Sequence, residues 1–449
     1  MKRETSLFLL VFFFVFSTMV LLNPAWSSGK ESVNTSSQNE KVSNLRIKAE
    51  QGDAIAQFDL GVMYGNGQGV PQDYVQATKW FRMAAEQGYT EGQFHLGVMY
   101  VKGLGVAQDY VQAAKWYRLA AEKGYAEAQF SLGIIYSNGL GVTQDYVQAA
   151  KWYRLAAEQG FAEAQFNLGI LYSNGQGVPQ DYIQTAKWYR LAAEQEAAIA
   201  QFNLGVLYGN GQGVLQDYVK AAKWFRLAAE QGFTEGQFHL GVMYVNGLGV
   251  AQDYVQAAKW FRLAAKQGYP QAQFNLGLIY SNGLDVAQDY VQAAKWFTLA
   301  AKQGDADAQF TIGNMYYNGQ GVPKDYAQTL KWFTLAAKQG YAEAQFNLGF
   351  MYANGQGVTK DYVQTAKWYR LAAEQGYAEA QFNLGVMYYE GQGVPQNYKT
   401  CYVWFNLSAA KATGDLHKYA AEQRDLVAKK LSAKDLKEAR QIVSDWKEK

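Results

Sequence analysis

An all-α solenoid is the fold this sequence predicts: ten stacked helix-turn-helix repeats of 36 residues, with capping helices at both ends. Three observations carry it. Trp80, Trp116, Trp152, Trp188, Trp224, Trp260, Trp296, Trp332, Trp368 and Trp404 each stand 36 residues from the next, and a fixed period of that size marks stacked supersecondary units. Gly61, Gly97, Gly133, Gly169, Gly205, Gly241, Gly277, Gly313, Gly349 and Gly385 fill one slot in all ten copies. Each copy is also apolar at helical spacing twice, on either side of a Gly/Asn-rich turn.

In chain order, residues 1–27 read as a secretory leader. Lys2 and Arg3 give a positive start, Leu7 to Leu22 are nearly all apolar, and Pro24-Ala25-Trp26-Ser27 places small residues at a cleavage site. Sixteen apolar residues span about 24 Å as a helix, short of a roughly 30 Å hydrocarbon core. Cleavage after Ser27 is therefore expected, with an uncleaved anchor as the alternative. Residues 28–39 are Ser/Asn-rich and read as a flexible linker. Residues 40–52, with Val42, Leu45, Ile47 and Ala49, read as a helix capping the first repeat.

Residues 53–412 hold the repeats. In one copy Ala164, Leu168 and Tyr172 recur at four-residue spacing, with Gly169 on the same face. Glycine inside a helix costs about 1 kcal/mol relative to alanine, so its presence there implies that the partner helix comes close to backbone contact. The turn Asn174-Gly175-Gln176-Gly177-Val178-Pro179 follows. Asp181 then reads as an N-cap, and Gln184 as its reciprocal partner in a capping box. Ala186, Trp188, Tyr189, Ala192 and Ala193 form the apolar stripe of the second helix, which ends on a glycine such as Gly160 or Gly232. Neither helix can bury its stripe alone, so stacking is required. Gly169, Tyr172, Trp188, Gly205, Trp224, Gly241 and Trp260 are the expected structural core.

Residues 413–449 leave the period. Leu416, Tyr419, Ala420, Gln423, Val427 and Leu431 give one amphipathic helix. Ser432 to Asp435 caps a second, with Leu436, Ala439, Ile442, Val443 and Trp446 on its apolar side. A polar-faced terminal pair is what an open stack needs.

Ala164, Leu168-Gly169, Tyr172, Gly175, Gly177-Val178, Asp181, Ala186, Trp188-Tyr189 and Ala192-Ala193 carry a pattern that resembles the Sel-one-like repeat family, relatives of the tetratricopeptide repeats. The resemblance covers roughly residues 53–412. It implies an adaptor that binds other proteins rather than a particular chemistry. It also brings an alternative, a cell-envelope enzyme acting on cell-wall or β-lactam substrates. The relatives linked to that chemistry carry a cysteine pair per repeat, and Cys401 is the single cysteine of this sequence.

Composition narrows the function classes. The formal charge is +2, with no block of like charge, so a nucleic-acid footprint is not expected. Cys401 cannot form an internal disulfide and reads as a small buried filler. His95 and His239 share one repeat position, four repeats apart, in near-copied surroundings; His417 lies in the tail and reads as solvated. A shared metal is not expected, and no nucleophile–base pair stands out. The glycine loops join helix to helix, unlike a nucleotide loop that follows a strand. Neither a catalytic site nor a cofactor is expected.

The expected partner is a protein or peptide, held by a monomeric exported chain, periplasmic or secreted and bacterial, with no membrane contact after cleavage. In the first helix of each repeat the seventh position varies: Asp59, His95, Ser131, Asn167, Asn203, His239, Asn275, Thr311, Asn347 and Asn383. Asparagine is a poor helix former, yet its carboxamide both donates and accepts, which suits an extended peptide backbone. His95, Asn167, Asn203, His239, Asn275, Asn347 and Asn383 are the candidate partner-binding row. The fourteenth position, mostly asparagine from Asn66 to Asn354, reads as a second row or as a helix end. On the second helix, Lys79, Arg82, Glu86 and their equivalents read as a solvated face with i,i+4 pairing. There Glu86, Glu122, Glu158, Glu194 and Glu230 give way to Lys266, Lys302 and Lys338, and Arg82 to Thr298 and Thr334. Glu196 and Asp285 replace glycines, where local bends are expected.

Overall fold

A computed structural model of the chain describes residues 35–447; the leader expected over residues 1–27 lies outside them. The described residues form twenty-three α-helices, numbered α1 to α23 in chain order, and no strand. The even-numbered helices from α2 (Ala54–Asn66) to α20 (Ala378–Glu390) are the first helices of the ten repeats. The odd-numbered ones from α3 (Tyr74–Glu86) to α21 (Tyr398–Lys411) are the second helices. Contacts divide the chain into two compact units. One runs to Gly236 and includes Leu248–Val250; the other holds Gln237–Gly247 and Ala251–Lys449.

The helix ends follow from their residues. The second helix α9 (Tyr182–Glu194) starts where Asp181, in extended backbone, accepts from the N–H groups of Ile183 and Gln184. The reciprocal half of the expected capping box is not made, because the Asp181 N–H donates to Tyr172 O at 2.9 Å. The first helix α8 (Ala162–Asn174) stops at Gly175, left-handed at φ 67°. Position fourteen is therefore the last helical residue, and Asn138, Asn246 and Asn354 donate back to carbonyls four residues earlier. Those asparagines are helix ends.

In the first unit, Ala149, Tyr153, Ala156, Ala164, Leu168, Leu171 and Trp188 form one buried cluster. The first helix α8 is thus sandwiched between the second helix before it and the second helix after it. Gly169 shows how the pair closes. A Cβ built there would lie 2.6 Å from the Tyr189 ring. An aromatic ring, rather than the partner backbone, occupies the space that the glycine leaves open. Gly177 is squeezed from the other side: its φ is 69°, and a Cβ would meet Tyr146 O of the preceding repeat at 2.1 Å.

Several sequence expectations are corrected. The helix α1 (Thr35–Glu50) begins five residues before position 40, inside the stretch read as linker. Polar side chains set which face meets water, and they do not stop a helix from extending outward from its packed end, where Val42 and Ala49 are buried. Tyr172 and Trp224 are half-buried rather than core, while Trp188 and Trp260 are buried at 6% and 8% exposure. Glu196 and Asp285 cause no change of path. Both adopt the left-handed backbone of the glycines they replace, at φ 65° and 51°.

The C-terminal pair, α22 (Gly414–Ala428) and α23 (Ala433–Lys447), packs on α21. Ser432 and Asp435 cap α23 reciprocally, and Trp446 meets Trp404 edge-on at 5.3 Å. Ile442 is 42% exposed, off the apolar side expected for it. Glu438, expected to face outward, reaches Lys399 of α21 at 2.7 Å. His417 is held as well, its Nδ1 2.7 Å from Ala409 O.

Candidate partner-binding surface

The seventh position of each first helix lies between a buried glutamine two residues before it and a buried leucine or isoleucine one residue after it. In the first unit it places His95, Asn167 and Asn203 half-exposed; in the second it places His239, Asn275, Asn347 and Asn383 likewise. The side chains turn back onto their own helices. Asn203 donates to Ile199 O at 2.8 Å, and Asn275 to Gln271 O at 2.7 Å. Ser131 donates to Glu127 O at 2.7 Å, and His95 Nδ1 meets Glu91 O at 2.9 Å. This back-bonding is why polar residues are tolerated in mid-helix. It occupies one of the two carboxamide N–H donors of Asn203 and of Asn275 and leaves their oxygens as acceptors. Asn383 hydrogen-bonds the Tyr369 hydroxyl, whose pKa burial pushes up to about 12.

His95 sits against Phe58, Phe81 and Phe94, with ring centroids 5.0 to 5.3 Å away. Burial lowers its pKa from the ordinary imidazole value, partly opposed by Glu91, so the ring is neutral at pH 7. His239 meets Phe238 nearly perpendicularly at 5.3 Å. Cys401 is fully buried, and burial pushes its thiol up to about 12, which keeps it from acting as a nucleophile. Among the described residues no group of three or more His, Cys, Asp or Glu forms a metal site.

Two sets of side-chain hydrogen bonds were not anticipated, one running through a buried glutamine from its own repeat to the repeat before it and the other joining successive repeats. Gln165 is buried. It donates to Ala157 O at 3.1 Å, and its own oxygen accepts from Gln195 at 2.9 Å, across 30 residues. The same bridge joins Gln159 to Gln129, Gln231 to Gln201, Gln303 to Gln273 and Gln375 to Gln345. Its signal was present, since Gln57, Gln93, Gln129 and their equivalents recur in every copy of an otherwise apolar segment.

The arginines read as solvated form the second set. Arg118 donates to Tyr136 Oη of the next repeat at 2.6 Å, Arg154 to Tyr172 at 2.7 Å and Arg190 to Tyr208 at 2.9 Å. No Arg–Glu i,i+4 ion pair on a second helix is present among the described residues. Where threonine stands instead, Thr298 and Thr334 donate to their own helix, at Ala294 O and Leu330 O.

No described helix is long and apolar enough to cross a membrane. The Sel1 repeat matches ten times, over residues 54–89, 90–125, 126–161, 162–196, 198–233, 234–269, 270–305, 306–341, 342–377 and 378–412. The chain is similar to the solved structure of c5321, a protective antigen present in uropathogenic Escherichia coli strains displaying an SLR fold. Identity is 39%, with 91% of this chain and 94% of that one covered, at a TM-score of 0.66. It is also similar to a Sel1 repeat protein from Oxalobacter formigenes. Identity there is 32%, over 74% of this chain and 99% of that one, at a TM-score of 0.56. Among curated proteins no sequence matches significantly. Solenoids of this kind are typically protein–protein interaction scaffolds, whose stacked repeats present extended binding surfaces. Ten matches in unbroken register cover most of the sequence, and the chain belongs to the Sel1 repeat family.

Proposed function

We propose that the chain is an exported, monomeric scaffold that holds a protein or peptide partner along the seventh-position row of its first helices. One observation carries this. Each first helix is fixed by buried Gln, Leu or Ile, and Gly, yet the residue among them changes between Asp, His, Ser, Asn and Thr, half-exposed at the His, Asn and Thr positions, exposed at Asp59 and buried at Ser131. A surface that varies on a constant frame can discriminate, while the frame holds its spacing. In the first unit the row is His95, Asn167 and Asn203; in the second it is His239, Asn275, Asn347 and Asn383. The acceptor oxygens of Asn203 and Asn275 suit backbone N–H groups of an extended segment.

Export rests on the composition of residues 1–27, with release into the periplasm or medium after cleavage. The description of the Escherichia coli relative as a protective antigen supports a location that antibodies reach. The experiment combines both parts. The protein recovered outside the cytoplasm runs about 27 residues shorter than the translated chain if the leader is removed. Crosslinking that mature form in its own envelope fraction captures one abundant protein partner. The double variant Asn203→Ala with Asn275→Ala weakens that capture about tenfold while its melting stays close to the parent. Full-length protein in the envelope, or unchanged capture by the double variant, overturns the corresponding part.

A further inference from the structure

Three second helices of the second unit carry a more basic face than their equivalents in the first unit. On α15 (Tyr290–Lys302), Val291, Lys295, Leu299 and Lys302 fall within about 100° of arc at 3.6 residues per turn, and all four are exposed. On α13 (Tyr254–Lys266) the same face shows Val255, Lys259, Leu263 and Lys266. On α17 (Tyr326–Lys338) it shows Lys331, Leu335 and Lys338. Six lysines thus stand on three consecutive second helices, interleaved with leucines that are 36–38% exposed.

Among the described residues none of the six forms an ion pair. In the first unit the equivalent helices end on Glu86, Glu122, Glu158, Glu194 and Glu230, so each lysine is offset by a carboxylate one or two turns along. Helix stability does not demand the change. A cation suits a helix C-terminus by only about 0.3–1 kcal/mol, and glutamate closes α19 (Tyr362–Glu374) in the second unit as well. The arginine-to-threonine changes at Thr298 and Thr334 fall on the same two helices, where each hydroxyl is bonded inward.

We infer that this basic–apolar face of α13, α15 and α17 docks an acidic amphipathic segment of a partner protein, its carboxylates on the lysine rows and its aliphatic side chains on the leucines between them. The inference rests on the scaffold reading above and adds a second, chemically defined surface to it. Charge complementarity selects the occupant. None of the six ammonium groups has a carboxylate partner among the described residues, although Lys259, Lys295 and Lys331 lie over the rings of Trp260, Trp296 and Trp332. Together the six steer and retain carboxylates. A nucleic acid fits less well. The face offers no free arginine fork, since Arg262 is engaged with Tyr280 Oη, and Phe297 and Phe333 are buried, so no phenylalanine ring there can stack on a base. A membrane fits less well too, since the leucines are only about a third exposed.

The test uses the whole mature chain and a fluorescein-labelled synthetic helix with Glu and Leu on opposite faces. Its analogue with Gln for Glu, phosphatidylglycerol vesicles and single-stranded DNA serve as competing probes. The triple variant Lys266→Glu, Lys302→Glu and Lys338→Glu installs the residue found at that helix position in five repeats of the first unit, so it folds. The expected result is that the Glu helix binds the parent at least about tenfold more tightly than the Gln analogue. The triple variant loses that preference, and reversing Lys115, Lys151 and Lys187 in the first unit changes it less than about twofold. Equal binding of parent and triple variant overturns the inference, as does tighter binding of vesicles or DNA than of the Glu helix. Partner capture in the envelope separates the two proposals. Capture by the triple variant at parental strength sinks this surface and leaves the scaffold standing, whereas no capture by the parent sinks the scaffold.

Discussion

Two regions recur along each unit and close in different ways. Inside a repeat, Tyr189 lies on Gly169, the Asp181 N–H donates to Tyr172 O, Gln180 donates to Ser173 O, and Gln195 reaches Gln165. Between repeats, Gln165 donates on to Ala157 O and Arg154 donates to Tyr172 Oη, so the joint carries side-chain hydrogen bonds as well as apolar contact. Apolar packing is strong but undirected. A buried carboxamide with fixed partners on both sides accepts only one register, because an unmade bond there costs about 1–3 kcal/mol. Apolar packing within and between the pairs supplies stability, and the joint sets how one pair sits on the next.

The largest effect should come from the packed region. Trp188 is buried at 6% exposure, and its indole Nε1 has no partner among the described residues, so its contribution is volume. Trp188→Ala is expected to cost about 3–5 kcal/mol, read as a fall in urea midpoint. Trp224 is half-buried, and Trp224→Ala should cost less. Equal losses would mean that exposure does not grade these tryptophans.

The next effect tests the glycine. In Gly169→Ala the new methyl would sit 2.6 Å from the Tyr189 ring, and relieving that overlap costs about 1–3 kcal/mol. Helix propensity returns about 1 kcal/mol, leaving a net loss of about 0–2 kcal/mol. Local hydrogen exchange in α8 and α9 should rise while distant repeats stay protected, since each repeat touches only its neighbours. A stabilised variant would show that the ring moves aside at no cost.

The sequence made the period, the helix boundaries and the capping aspartates legible, because tryptophan spacing and N-cap chemistry are local signals. The joint was not legible in the same way. Gln165 looked like a polar residue beside an apolar stripe, and only the closure of α8 on α9 brings Gln195 to it across 30 residues, while stacking on the repeat before supplies Ala157 O. Arg154 looked solvated for the same reason. In the candidate row, the variability of the seventh position was plain from the sequence. That Asn203 and Asn275 donate to their own helices was not, since that depends on rotamers rather than spacing.

The joint offers a comparison supplied by the chain itself. At Gln93 and Gln381 the residue 30 positions on is Lys123 or Lys411 instead of glutamine, and these two buried glutamine oxygens have no partner. Lys123 turns to Gly88 O instead. Gln165→Leu, which removes a bonded carboxamide, is expected to cost about 1–2 kcal/mol, and Gln93→Leu under half of that. Lys123→Gln should restore the bridge and stabilise by about 0.5–1.5 kcal/mol. Equal costs for the two leucine variants would show that the bridge contributes nothing beyond filling space.

The smallest effect concerns the turn that closes each second helix. Gly160 and Gly232 take φ 92° and 87° there, while Glu196 holds φ 65° with a side chain. A left-handed non-glycine residue costs about 1–2 kcal/mol of local strain, and glycine's extra unfolded-state freedom returns about 0.4–1 kcal/mol of that. Glu196→Gly should therefore raise stability by about 0.5–1 kcal/mol, and Gly160→Glu should lower it by a similar amount. The pair is diagnostic because the two sites are equivalent in the repeat. If Gly160→Glu costs about 1 kcal/mol while Glu196→Gly gains nothing, the Glu196 side chain offsets its own strain through a contact in the folded state.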